Sequence, residues 1–220
     1  MVNMFTKRTC SLFDPMPNSQ PKIPRRQLQK EDTRRTILEA AYALFADRGY
    51  ARTTMRALAQ RAGVGLGTIF KHFPDKPSLL VAAFQDDLGR VVQEAFRTLP
   101  KKGIKSQLLH LTGKLYDFYA NSPPFSRTLI REGLFMEGEY GQILDRQLMT
   151  FLEDVAGLFQ RAVEGGELPS ETNPVETAMA FGSFYFSGLV MGLKQPVFDT
   201  RTQWTLVGTL IDHYLIRKQV

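Results

Sequence analysis

From about Asp32 the chain places apolar side chains at helical intervals. Ile37, Ala41, Leu44 and Phe45 share one face, with Arg35 and Glu39 on the other. This spacing predicts an amphipathic helix that Gly49 ends, because glycine accepts the left-handed backbone of a helix C-terminus. Thr54 then stands where a side-chain oxygen can cap a second helix, which carries Met55, Leu58 and Ala62 and is stopped by Gly63. A third helix runs from Leu66 to about Phe73. Pro74 closes it, and Asp75 caps a fourth that begins at Lys76 and runs towards Leu99.

Further helices are predicted near 104–121, 125–136, 140–165, 174–193 and 202–217. Their separators are Pro100–Gly103, Ser122–Pro124, Gly138, Gly165-Gly166 with Pro169, and Pro196. No run of alternating β-branched residues argues for a strand, so the expected fold is all-α. Residues 1–29 read as a tail: Pro15, Pro17, Pro21 and Pro24 interrupt any helix, and Lys22, Arg25 and Arg26 add charge without apolar periodicity. The uncharged stretch Thr177–Leu193 is 17 residues long. It falls short of the roughly 20 needed for a membrane span and is rich in glycine and serine, so it reads as a buried helix.

Composition adds little until the charge is divided along the chain. Of 220 residues, 43% are hydrophobic and 23% charged, a balance that supports a core. Cys10 is the single cysteine, which leaves no internal disulfide and favours a reducing cytoplasm. Residues 1–80 hold 14 Lys and Arg against 6 Asp and Glu, while residues 81–220 hold 14 against 16. The net charge of +6 therefore resides in the N-terminal part, which is the part suited to a polyanion.

The segment from Thr53 to Phe73 combines that charge with a specific geometry. Two short helices meet at a glycine turn, with Leu58, Ala59, Ala62, Val64 and Ile69 as their mutual interface. Thr68, Lys71 and His72 project from the second helix, and Arg52, Thr53 and Thr54 stand at the start of the first. This division suits a helix-turn-helix, in which one helix enters the major groove and the other anchors to phosphate. The run from about residue 33 to 80 resembles the DNA-binding domain of TetR/AcrR regulators. The matching positions are Ala62-Gly63-Val64, Gly67-Thr68-Ile69-Phe70, Phe73, Lys76 and Leu79-Leu80.

The resemblance implies DNA-contacting roles for Thr54, Gly67, Thr68, Phe70, Lys71, His72 and Lys76, to which position adds Thr53 and Leu66. Thr68 can meet a base edge, and Lys71 a phosphate or a guanine acceptor. Two positions depart from the family pattern, which commonly has Ser at Gly65 and Tyr at Phe70. Lacking the hydroxyl, Phe70 is expected to pack more than to touch DNA. Leu66 has two readings, a contact to a thymine methyl or a core residue.

The resemblance also implies a larger C-terminal helical domain that binds an effector and forms a dimer. The boundaries expected are 1–29 for the tail, 30–76 for the helix-turn-helix domain and 77–220 for the remainder. Candidate effector-binding residues are Tyr119, Arg131, Glu132, Phe135 and Phe181, polar groups set among aromatics. The last two helices, with Ala178, Gly182, Tyr185, Gly188, Trp204, Leu206 and Leu210, are the candidate dimer interface, in the manner of a four-helix bundle. The expected function is that of a sequence-specific transcriptional regulator, a repressor released from palindromic operator DNA by a small molecule.

Enzymatic chemistry finds little support. Gly63-Val64-Gly65-Leu66-Gly67 is not spaced as a nucleotide-binding glycine loop, and Thr112-Gly113-Lys114 lacks the rest of a P-loop. Ser183 is flanked by Phe181 and Tyr185 where a nucleophile elbow needs glycines. His110 and His213 have no partners at metal-ligand spacing. No catalytic set, metal or cofactor is expected. An all-helical small-molecule-binding protein or enzyme with only non-specific DNA affinity is the alternative.

Overall fold

The computed structural model describes residues 25–216. Among these the chain forms α1 (Arg25–Arg48), α2 (Met55–Ala62), α3 (Leu66–His72), α4 (Lys76–Arg97), α5 (Ile104–Ala120), α6 (Pro123–Gly133), α7 (Gly138–Glu164), α8 (Pro174–Lys194) and α9 (Thr200–Ile216), with no strand. Most boundaries fall within about two residues of those the apolar spacing predicts, the ordinary uncertainty of a helix end.

The first helix is the exception: it begins at Arg25, seven residues ahead of Asp32. Residues 25–31 are all exposed and so carry no apolar stripe to reveal a helix. Their composition (Arg, Gln, Leu, Lys and Glu) is nonetheless strongly helix-forming. Arg25 and Arg26 thus belong to α1, not to a tail. Cys10, the four prolines and Lys22 lie outside the described residues.

The N-terminal helices close around a small core. α1 packs on α2 and α4, and α2 packs on α3. Ile37, Leu58, Ile69, Phe73, Leu79 and Leu80 are fully buried there. Each stabilises the fold by about 1.5–3 kcal/mol relative to exposure. The longer helices form the rest: α4 leans on α5, α7 runs along α8, and α9 packs on α5 and α8. The uncharged stretch in α8 buries Thr177, Ala178, Phe181, Gly188, Leu189, Gly192 and Leu193 against these neighbours. No helix among the described residues is long and apolar enough to cross a membrane.

Candidate nucleic-acid interface and internal cavity

α2 and α3 owe their relative position to the residues that end and start them. Thr54 Oγ1 accepts a hydrogen bond from the Ala57 N–H at 3.2 Å and so satisfies one orphan donor of the first turn. Gly63 turns left-handed at φ 65°, and the Val64 N–H reaches back to the Ala59 carbonyl at 3.1 Å. Gly65 then starts α3 with no side-chain cap. On the inner side of α3, Ile69 is fully buried and Phe73 is locked in just beyond the helix end.

With those two anchored, the remainder of α3 faces outward. Leu66, Gly67, Phe70 and Lys71 are exposed, and Thr68 and His72 are half-buried at the flanks. Leu66 is therefore a surface residue. Phe70, expected to pack, is 47% exposed. The reason is rotational: each helical residue turns about 100°, so the neighbour of inward-facing Ile69 points away from the core.

Two of the expected DNA-contact residues make internal hydrogen bonds in the free chain. Thr53 is 1% exposed, and its Oγ1 donates to the carbonyls of Gly49, at 2.9 Å, and Leu44. Lys76 folds back over the Tyr50 ring, 4.1 Å from its centroid, and donates to the carbonyls of Tyr50 and Thr53 at 3.0 and 3.1 Å. Burial lowers its pKa from the ordinary lysine value. The ammonium ties the start of α4 to the loop before α2, a use that the spacing of the motif does not reveal.

Other residues supply positive charge that motif reading missed. Lys30 and Arg34, one turn apart on α1, approach α3, and the Arg34 guanidinium lies 5.5 Å from the Phe73 ring centroid. Partial burial, followed by the charges of Lys30, Lys71 and Arg34, lowers the His72 pKa below its usual value. The imidazole therefore favours its neutral form within a cationic surface. The signal for Lys30 and Arg34 was their i, i+4 spacing, hidden because the helix was expected to start later.

Tyr140, near the start of α7, also went unread. Its hydroxyl donates to the His72 carbonyl at 3.1 Å, and its ring lies 5.9 Å from that of Phe73. The end of α3 is thus held directly by the C-terminal helices. A second link runs through aromatics: Phe84 of α4 stacks on Phe125 of α6 at 3.9 Å, and Phe125 lies 6.0 Å from Phe45 of α1.

Phe84 also lines a partly open cavity of about 220 Å³ bordered by α4 through α8. Leu88, Leu115, Leu129, Leu144, Phe151 and Leu189 make its walls mostly apolar. Of the five effector candidates only Tyr119 lines it. Burial pushes the Tyr119 phenol up to about 12 and holds Tyr185, in the same wall, well above the ordinary value.

The other four candidates lie elsewhere. Arg131 and Glu132 pair with each other at 2.9 Å, with Arg131 exposed, and neither lines the cavity. Phe135 is 87% exposed in the α6–α7 connection, and Phe181 is buried in the core outside the cavity lining. Periodicity marks an aromatic as inward or outward, but it cannot say which inward ones border empty space.

The candidate dimer residues divide similarly. Ala178 and Gly188 are buried within the chain, and a methyl on Gly188 would collide with the Tyr116 hydroxyl and Val207. A methyl on Gly182 would meet Leu152 at 2.8 Å. Tyr185 turns inward to the cavity. These four admit neighbours from their own chain. Trp204 is 40% exposed, although its indole N–H donates to the Leu109 carbonyl at 2.9 Å, and Leu206 and Leu210 are half-buried. The apolar surface of α8 consists instead of Val175, Met179, Phe186 and Met191.

The sequence model for bacterial regulatory proteins of the tetR family matches residues 37–83, which span the second half of α1 through the first turns of α4. The HTH-type transcriptional repressor KstR of Mycolicibacterium smegmatis is 30% identical over 169 residues, covering 76% of this chain and 79% of that protein. The chain belongs to the TetR family. As a TetR-family member it is a DNA-binding transcriptional regulator. The fold agrees with solved structures of low sequence identity. FadR of Bacillus subtilis, solved with stearoyl-CoA, superposes with a TM-score of 0.65 at 18% identity, over 80% of this chain and 97% of that one. PfmR of Thermus thermophilus gives 0.58 at 20% identity, over 80% and 97%.

Proposed function

We propose that this TetR-family chain is a homodimeric repressor whose α3 helices read a palindromic operator in the cytoplasm, and that a small molecule in the α4–α8 cavity releases it. The helix-turn-helix unit would occupy about residues 30–76 and the effector and dimerisation unit about 77–220. The observation that carries this reading is α3 itself: Ile69 and Phe73 lock it in place while Leu66, Gly67, Phe70 and Lys71 stand free. A seven-residue helix held by two anchors, with one face free, suits insertion into a major groove. Thr68 and Lys71 would address base edges, His72 and Thr54 the phosphates, and Leu66 a thymine methyl.

Such a helix spans few base pairs, so specificity calls for a second copy about one DNA turn away. The exposed apolar positions of α8, with Trp204, Leu206 and Leu210 of α9, supply the surface for it. Release would follow the two links already described. A ligand beside Phe84 displaces Phe125 and the α6–α7 connection, and Tyr140 carries that movement to the end of α3. Nothing in this scheme calls for catalysis, a cofactor or a metal.

The test is selection of genomic fragments by the purified protein at near-physiological salt, followed by footprinting. A short palindrome is expected, with affinity lowered by Lys71→Ala and the slope of log affinity against log salt reduced by about 1. Capture of random fragments, all lost smoothly with rising salt, would sink the reading.

A further inference from the structure

The few polar groups in the cavity wall restrict what it can hold. No Lys, Arg or His among the described residues lines it, and the single carboxylate there, Asp145, belongs to an exposed residue. An anion placed inside would lose its hydration, gain no counter-charge and face a carboxylate of its own sign. A free acid or phosphate therefore fits this wall badly.

Two features ask for a hydrogen-bonding ligand. Gln147, on α7, lines the cavity, and its Oε1 is shielded from solvent without a hydrogen-bond partner. Unpaired buried acceptors of this kind are rare in folded chains and call for an explanation. Tyr119 and Tyr185 line the same cavity, and a phenol can both donate and accept a hydrogen bond.

The space is of moderate size. At about 220 Å³ it exceeds the roughly 150 Å³ of an engineered apolar cavity that admits benzene, which leaves room for a compact body of one or two rings. A hydroxyl is the group that suits Gln147 best. Once the Gln147 side chain turns to bring its amide to the cavity surface, the hydroxyl donates to Oε1 or accepts from Nε2.

We propose that the ligand of this cavity is an electrically neutral, mainly hydrocarbon molecule carrying a hydroxyl bound by Gln147, and that its carboxylate counterpart is rejected. This rests on the reading of the cavity as the effector site.

Three probes with one skeleton test it on the full chain at pH 7 by calorimetry: 2-naphthol, naphthalene and 2-naphthoate. The naphthol binds about tenfold more tightly than naphthalene, the effect of one well-made hydrogen bond, and 2-naphthoate binds weakest. Gln147→Leu removes the advantage of the naphthol while keeping naphthalene binding, which also reports that the variant's cavity is intact. Gln147→Met gives the same result should the leucine variant fail to fold. Equal or tighter binding of 2-naphthoate overturns the proposed ligand class and leaves the effector reading standing. So does a naphthol preference that survives both substitutions. Binding of none of the three overturns both.

Discussion

α3 and α8 both carry glycine and exposed apolar side chains, and they use them in opposite ways. In α3 the glycine is open: a methyl on Gly67 would meet nothing within 4 Å. The small residue clears the surface for something outside the chain. In α8 the glycines are filled, Gly188 by Tyr116 and Val207, and Gly192 by Phe198 and Gln203. There the small residues admit the chain's own side chains, and the outward apolar positions are the larger Met179, Phe186 and Met191. The same residue type thus marks a docking surface in one region and a filled core in the other. What tells them apart is the length of helix left to bury: 7 residues in α3 against 21 in α8.

The largest expected effect breaks one region and leaves the other whole. Leu58 is fully buried between the N-terminal helices. Leu58→Ala should cost about 2–5 kcal/mol through lost transfer energy and the cavity left behind. Hydrogen exchange should show α1–α3 amides losing protection while those of α7 and α8 keep theirs, and operator binding should disappear. Equal loss of protection throughout would mean that the two regions unfold as one.

A second pair of variants separates the inner face of α8 from the outer. Gly188→Ala forces a methyl against Tyr116 and should destabilise by about 1–3 kcal/mol in a denaturant melt without changing the oligomeric state. Met179→Glu places a charge on the proposed dimer surface. It should shift sedimentation towards monomer and weaken operator binding while leaving the monomer's fold intact. If Gly188→Ala were instead the variant that dissolved the dimer, the division drawn between filled and open glycines would be wrong.

That contrast also explains which parts could be read from the chain alone. The reading helix was legible because its signals are local. Thr54, Gly63 and Asp75 act through hydrogen bonds within three to five residues, so spacing reveals them. The internal bonds of Lys76 could not be read this way because its partners, the Tyr50 and Thr53 carbonyls, lie more than twenty residues away, and Thr53, besides its local bond to Gly49, reaches back to Leu44. The cavity was hardest to read. Tyr119 was recognised, but Gln147 and Tyr185 reach it from α7 and α8, and no periodicity states which inward residues leave space between them. Arg131 and Glu132 looked functional as a charged pair among aromatics, yet neighbouring charges on a helix more often bond to each other at the surface, as these do.

The bond between Tyr140 and His72 tests how the two regions communicate. Tyr140→Phe removes the hydroxyl that reaches the α3 carbonyl and keeps the ring beside Phe73. The stability loss should be modest, about 0.5–1.5 kcal/mol, the net worth of one such bond. If this contact transmits release, the variant should bind operator DNA almost normally and need more effector to leave it, as read by fluorescence anisotropy. An unchanged effector response would assign transmission to the Phe84–Phe125–Phe45 contacts alone.

The smallest effect concerns the charge on His72. In the free chain its pKa is lowered, first by burial and then by Lys30, Lys71 and Arg34. Folding therefore disfavours protonation there, so any stability contributed by neutral His72 is fully present above the ordinary histidine pKa and is lost as pH falls from there through the lowered folded value. Phosphate at this site reverses the bias: it offsets the neighbouring cations and raises the pKa in the complex. A group whose pKa rises on binding takes up a proton, so operator affinity should increase from pH 7.5 to pH 6. The gain should stay below about tenfold per pH unit, the limit for one proton. Measured over that range, His72→Gln should flatten the dependence while its backbone carbonyl still accepts from Tyr140. A wild-type affinity that does not change with pH would remove His72 from the phosphate contacts and leave Lys71 as the cation of α3 that faces the DNA.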